Sequence, residues 1–177
     1  MKIETERLLL RKLEDTDYER LFLLDSDPEV MKYIGVPVVK DVNDSKKMIQ
    51  FIQKQYAENG VGRFAVIEKE SNLLIGWSGL KFLTEPINGY KNVYELGYRY
   101  LPEYWGKGYA MEAAKASLNY GFNDIDTDII YAMAHSENDG SNHILQKLGF
   151  ERTGEFMEPD GMCFWYELQR EKYSSKS

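Results

Sequence analysis

The sequence predicts an α/β protein of the α+β kind, a mixed and mostly antiparallel sheet of about seven strands flanked by about four helices. Three observations point there. Segments that alternate apolar and polar residues are interleaved with segments of helical period, in the order strand, helices, three strands, helix, strand, helix, two strands. Several strands are joined by turns short enough to form hairpins. The 177 residues can bury a sizeable core, and they contain no repeat, low-complexity tract or Pro/Gly-rich linker that would divide them. One domain over 1–177 is expected, with an ordered core over about residues 3–170.

The elements follow in order. IETERLLLRKL, from Ile3 to Leu13, reads as one strand with Leu8 and Leu10 on one face and Leu9 and Arg11 on the other. In DTDYERLFLLDSDPEV, Asp15 is the expected N-cap of a helix that sets Tyr18, Leu21, Phe22 and Leu24 in register. A second short turn follows Pro28. DVNDSKKMIQFIQKQYAENG puts Met48, Ile49, Phe51, Ile52 and Tyr56 on a helix closed by Asn59-Gly60. RFAVIEK and LLIGWSGLKFL are strands around an ESN turn. VYELGYRYL is the next strand, stopped by Pro102, with Glu95, Gly97 and Arg99 on one face and Leu96, Tyr98 and Tyr100 on the other. A helix from about Lys107 to Phe122, the strand DIIYAMAH and a helix in NDGSNHILQKLGF with Gly149 as C-cap come next. ERTGEFM and MCFWYEL form a last hairpin around EPDG. Trp77, Phe82, Phe164, Trp165 and Tyr166 are strand residues whose role is packing.

Bulk composition narrows the function. Hydrophobic residues make up 43% and charged residues 29%, as in ordinary soluble domains. No apolar run approaches a membrane span, and MKIETERLLLRKLEDTD meets its acids too early for a secretory signal. Cys163 has no partner for an internal disulfide and no metal-ligand spacing around it; it reads as a buried small hydrophobe. A reducing cytoplasm fits. The net charge of −7 argues against a general nucleic-acid binder and is compatible with cationic substrates such as amines.

The stretch from Tyr100 to Gly108 carries the chemistry. A strand ends and a helix begins there, with unpaired N–H groups and two glycines that let a ligand approach the backbone. Lys107 adds positive charge. Such a junction suits a phosphate, and a pyrophosphate above all. A Rossmann fingerprint needs a third glycine near Met111 and an acidic residue about 20 positions on. A P-loop needs G-x-x-x-x-G-K-[ST], and Gly108 is followed by Tyr109. The diphosphate of coenzyme A remains, beside the alternative of a plain strand-to-helix turn. Ala110, Ala113, Ala114, Ser117 and Leu118 form a small-residue stripe that would let the helix lie close to a sheet.

With these residues in view, the chain resembles the GNAT superfamily of acyl-CoA-dependent N-acetyltransferases, and within it the RimJ/RimL-like branch. TERLLLR is similar to that branch's opening strand, ELGYRYLPEYWGKGYAMEA to its CoA-binding signature, and NDGSNHILQKLGFERTGE to its second conserved block. The resemblance implies a single-domain GNAT-like fold whose sheet is splayed at the central strand. The signature [Q/R]-x-x-G-x-[G/A] falls on Trp105, Gly106, Lys107, Gly108, Tyr109 and Ala110, whose backbone would hold the pyrophosphate of acetyl-CoA. Trp105 stands where the signature has Gln or Arg. Tyr98 and Tyr100 would pair their main chain with the pantetheine amides, and Asn138 would meet the cofactor, with Ser141 one turn on.

The implied reaction is direct attack of a primary amine on the acetyl thioester in a ternary complex, without a metal. The amine, on a protein N-terminus or a small molecule, must be neutral to attack. Glu95 is the first candidate base, with His135 and water as alternatives, and with a plain Glu95–Arg99 pair on a solvated face as its structural reading. A tyrosine that serves relatives as general acid is Leu145 here, so Ser141 is its expected substitute; a first-turn hydroxyl bonding the helix backbone is the other reading. A homodimer is compatible with the family. A CoA-binding sensor without catalysis is the alternative function.

Overall fold

Eight strands form a single sheet in the computed structural model, which describes residues 1–174. They are β1 (Lys2–Glu4), β2 (Leu8–Lys12), β3 (Arg63–Glu68), β4 (Leu73–Leu83), β5 (Val93–Tyr100), β6 (Ile129–His135), β7 (Glu151–Glu158) and β8 (Gly161–Gln169). Their order is β1-β2-β3-β4-β5-β6-β8-β7. The helices are α1 (Tyr18–Asp25), α2 (Pro28–Met31), α3 (Val42–Asn59), α4 (Tyr109–Asn119), α5 (Asp139–Leu148) and α6 (Arg170–Ser174). The expected domain extends to 177, so its last three residues lie outside the described ones.

Three expectations need correction. The first expected strand is two, because Thr5 turns the chain: Leu8 N–H donates to Thr5 Oγ1 at 3.0 Å and Thr5 N–H to Leu8 O at 2.9 Å. β1 then folds back on β2 with Lys2 opposite Arg11. A hydroxyl closes this turn without Gly or Pro, the residues that usually announce one. At the first helix, Asp17 rather than Asp15 holds the N-terminus. Its carboxylate accepts from Glu14 N–H at 2.8 Å while α1 waits until Tyr18. The long helix beginning near Lys107 ends as α at Asn119 and continues as a π-helical turn over Tyr120–Asp124. A Cβ on Gly121 would stand 2.6 Å from Leu80 Cδ1 and 2.7 Å from Ile130 Cδ1, so glycine lets this turn press on the sheet without displacing either side chain. Beyond these, α6 is an element that the pattern did not announce.

Both faces of the sheet are covered. On one, Ala114 and Leu118 of α4 and Leu145 and Leu148 of α5 pack on Leu80, Leu96, Ile130, Ala132, Tyr166 and Leu168. On the other, Leu21 and Leu24 of α1 and Ile49, Ile52 and Tyr56 of α3 cover Ala65, Ile67 and Leu74. Every neighbouring pair of strands is antiparallel except β5 and β6. That parallel pair is in register only at Glu95–Tyr131 and Leu96–Ala132. Beyond it, the end of β5 (Gly97–Tyr100) and the end of β6 (Met133–His135) part company, so the sheet is split from its middle outward.

α1 is tied to the sheet by a buried ion pair, Arg99 Nη1 to Asp25 Oδ1 at 2.5 Å. Arg99 Nε is buried without a hydrogen-bond partner among the described residues, so Asp25 is the main compensation for a desolvated cation. Replacing Asp25 with Ala is expected to destabilise the fold by about 3–5 kcal/mol. Urea unfolding measures this, and a loss below about 1 kcal/mol would contradict it.

Candidate functional site

The predicted anion-binding junction grows directly out of the split. β5 ends at Tyr100, Leu101 and a single turn at Pro102–Tyr104 follow, and α4 starts at Tyr109. Gly106 has φ 70° and Gly108 φ 82°, the left-handed region that side chains with a Cβ adopt at a cost. Gly108 is the N-cap of α4, and the helix's first internal bond runs from Glu112 N–H to Gly108 O at 3.1 Å. The N–H groups just ahead of Glu112 thus precede the helix ladder, in a segment whose residues Trp105–Gly108 are exposed. Trp105 Nε1–H donates to Tyr100 O at 2.8 Å, which makes this indole a brace on the end of β5. Lys107 is exposed with its Nζ 5.7 Å from the centre of the Tyr104 ring. Ala110 is half-buried on the first turn of α4.

The turn is fastened from behind by residues of the first hairpin. Glu112 accepts from Thr5 Oγ1 at 2.6 Å, Arg7 N–H at 2.9 Å and Arg7 Nε at 2.7 Å. Arg7 Nη1 reaches on to Lys107 O at 2.8 Å, and its guanidinium lies 4.4 Å from the centre of the Tyr109 ring. Tyr109 donates its hydroxyl to Glu68 Oε1 at 2.5 Å. Burial alone would raise the Glu112 pKa, but the Thr5 hydroxyl and the two Arg7 contacts outweigh it and hold the carboxyl below its usual 4.5.

Inside the split, Tyr98 is the central side chain. Its hydroxyl is 3.1 Å from Ser141 Oγ and 3.3 Å from Ser141 O, which links β5 to the first turn of α5 across the gap. Burial pushes the Tyr98 phenol up to about 12, against the Ser141 hydrogen bond, which lowers it. Asn138 caps α5, its Oδ1 accepting from Ser141 N–H at 3.2 Å. Leu101 N–H donates to Ile75 O, so antiparallel alternation turns the peptide groups of Arg99 and Gly97 toward β4 and those of Tyr98 and Tyr100 toward the opened edge. The Tyr100 carbonyl is the one already held by Trp105.

Glu95 lies on the sheet face opposite Leu96, as the alternation predicted, but it is buried there and does not pair with Arg99. Its Oε2 meets Arg63 Nη2 at 2.5 Å, and Arg63 Nη1 also donates to Glu95 O at 2.8 Å and Gly79 O at 2.7 Å. A Cβ on Gly97 would stand 2.6 Å from Arg63 Nη2, so the glycine makes the bed for this guanidinium. Trp77 is flanked by both arginines, at 5.2 Å from Arg63 and 5.0 Å from Arg99. His135 is buried. Glu137 N–H donates to its Nδ1 at 3.1 Å, which puts the proton on Nε2, 3.2 Å from Asp160 O. Tyr33 tilts over the His135 ring at 5.3 Å, so the α2–α3 connection and the β7–β8 turn meet at the end of β6.

Sequence reasoning missed Arg63, Arg7 and Asn142, whose partners are distant along the chain. Asn142 donates to His135 O at 3.0 Å and accepts from Tyr166 Oη at 2.6 Å, which seats α5 on β6 and β8. The signal for Arg63 was Gly97, a glycine inside a strand that marks a close approach.

Comparison with known proteins gives concordant results. The profile of the acetyltransferase (GNAT) domain matches residues 7–151. The uncharacterized N-acetyltransferase p20 of Bacillus licheniformis is 37% identical over 150 residues, covering 85% of this chain and 82% of that protein. Spermidine N(1)-acetyltransferase of Escherichia coli (strain K12) is 33% identical over 149 residues, covering 84% of this chain and 75% of that protein. Among solved structures, the acetyltransferase (GNAT family) from Bacillus anthracis superposes with a TM-score of 0.81 at 32% identity, over 97% of this chain and 99% of that one.

The depressed Glu112 pKa has a sign that stability measurements can read. Its contribution is complete above the unfolded value near 4.5 and is lost as pH falls through the lower folded value. The denaturation midpoint of Glu112→Gln should therefore fall less than that of the parent protein as the solution is acidified below about pH 4.5. Parallel acid limbs would show that Glu112 is not part of this balance.

Proposed function

The chain belongs to the GNAT acetyltransferase family, and on that premise we propose that it moves the acetyl group of acetyl-CoA to a primary amine of a small cationic acceptor. The observation that carries the proposal is the opened edge of β5 leading, through one turn at Pro102–Tyr104, to a junction with two left-handed glycines. An extended arm that carries amides and ends in a diphosphate fits that sequence of features.

On this reading, the backbone from Trp105 to Ala110 holds the pyrophosphate, with the α4 dipole and Lys107 adding positive potential. Tyr98 offers the pantetheine its N–H and C=O, and Tyr100 its N–H, because the Tyr100 carbonyl is engaged by Trp105. Asn138 contributes the Nδ2 that its capping bond leaves over. The bound thioester supplies the electrophilic acetyl carbon; the protein supplies position, a proton acceptor and a proton donor. Glu95 is the proton acceptor, acting through Oε1 and water while Arg63 holds Oε2. His135 is a poor rival, since both its nitrogens are already bonded. Ser141 and Tyr98 form the hydroxyl pair that donates to the departing sulfur. The phenol is protonated at neutral pH, and so it meets the developing thiolate as a hydrogen-bond donor.

A small cation is favoured as acceptor by the net charge of −7, by the name of the E. coli relative and by the Asp160 carboxylate beside Gly35 at the end of β6. A protein N-terminus would be the acceptor if the chain works as the RimJ/RimL-like resemblance implies. Thiol release from acetyl-CoA, measured with polyamines and with peptides bearing free N-termini, tests this. Faster turnover of the polyamines is expected. Turnover of peptides alone would overturn the small-cation acceptor, and acetyl-CoA binding with no turnover on any amine would leave the sensor reading.

Two variants probe the chemistry. Ser141→Ala should lower kcat by about ten- to a hundredfold with little change in the KM for acetyl-CoA. An unchanged kcat would remove Ser141 from the mechanism. Glu95→Gln should lower kcat and alter its pH profile, whereas an identical profile would assign the proton to water.

A further inference from the structure

The segment Thr5–Arg7 entered as part of a family-like opening strand, yet it forms no strand at all. It is the corner between β1 and β2, and the Thr5 hydroxyl and the Arg7 side chain reach from it to Glu112 and the glycine junction. We propose that Arg7, seated by Glu112 and Thr5, is a positioning residue that sets the direction of the phosphate-binding N–H groups by holding the Lys107 carbonyl. The inference rests on the acetyl-CoA reading above and deepens it.

The physical link is peptide planarity. In a trans peptide, the carbonyl of one residue and the N–H of the next lie in one plane and point in opposite directions. Arg7 Nη1 holds Lys107 O at 2.8 Å, so the N–H of Gly108 is directed away from Arg7. Without that bond, a junction with two left-handed glycines has little to resist rotation of this peptide, because glycine lacks the Cβ that restricts other residues. Gly108 also gives Arg7 its place: a Cβ there would lie 3.3 Å from Arg7 Nη2.

Arg7 is itself held on three sides. Its Nε bonds Glu112 Oε2 at 2.7 Å, its own N–H bonds Glu112 Oε1 at 2.9 Å, and its guanidinium rests over the Tyr109 ring. Glu112 in turn takes the Thr5 hydroxyl at 2.6 Å. The pairing has a second consequence. A carboxylate in the first turn of a helix suits the dipole but repels an incoming diphosphate, and the guanidinium beside it offsets that repulsion.

Calorimetric titration with acetyl-CoA, together with steady-state kinetics, tests the role in Arg7→Ala and Arg7→Lys. In Arg7→Ala, the Kd and the KM for acetyl-CoA should both rise about tenfold, while kcat and the acceptor KM stay within about twofold. Arg7→Lys, with one ammonium for two sites, should recover only part of the affinity. Acetyl-pantetheine, which has no diphosphate, should be used equally by parent and variants. An unchanged acetyl-CoA affinity in Arg7→Ala, or equal loss with acetyl-pantetheine, would overturn the positioning role and leave the transferase reading standing. Failure of the parent protein to bind acetyl-CoA would instead overturn the reading on which the role rests. Where Arg7→Ala does not fold, Arg7→Gln takes its place and should show the same split between the two donors.

Discussion

Two parallel strands that share only two residue pairs govern the rest of this molecule. β5 and β6 meet at Glu95–Tyr131 and Leu96–Ala132 and then diverge. An edge that is opened inside a sheet leaves peptide groups without a strand partner, which is costly unless something else pairs with them. Here the Tyr100 carbonyl is met by the Trp105 indole, and the Tyr98 side chain bridges to Ser141. The rest of the edge is suited to an extended ligand.

Arginines hold the parts around that split in place. Arg63 crosses from β3 to Glu95, Arg99 from β5 to Asp25 on α1, and Arg7 from the first corner to Glu112 on α4. Arg11 grips Asp17 with both oxygens at the start of the first helical segment. Surface ion pairs contribute little, but three of these four carboxylates are buried, and Asp17 and Glu112 accept further bonds from Glu14 N–H and Thr5, so each pair links elements that hydrophobic packing alone would leave free to slide. Because these guanidinium groups are spent on internal carboxylates, the anion attraction proposed for the glycine turn would fall to backbone N–H groups and Lys107.

Local signals were legible in the sequence and long-range ones were not. The hairpin around the ESN turn, the C-caps at Gly60 and Gly149, and the alternation that separates Glu95 from Leu96 all follow from residues a few positions apart. So does the glycine junction, since its two glycines and the following helix are contiguous. The break at Thr5 escaped because a hydroxyl, not Gly or Pro, closes it. Glu95 was assigned to the right face but to the wrong partner, since Arg63 lies 32 residues away and no periodicity points to it. Nothing local announces the burial of His135 either: its Asp160 contact comes from a hairpin 25 residues on.

The central claim is that the opened edge of β5 and the turn behind it form one continuous binding site. Amide hydrogen exchange, followed residue by residue with and without acetyl-CoA, addresses it most directly. Protection gained together at Tyr98, Tyr100 and residues 106–110 is the predicted result. Protection confined to another surface, such as the groove between β1 and α4 lined by Ile3, Lys115 and Asn119, would contradict the account.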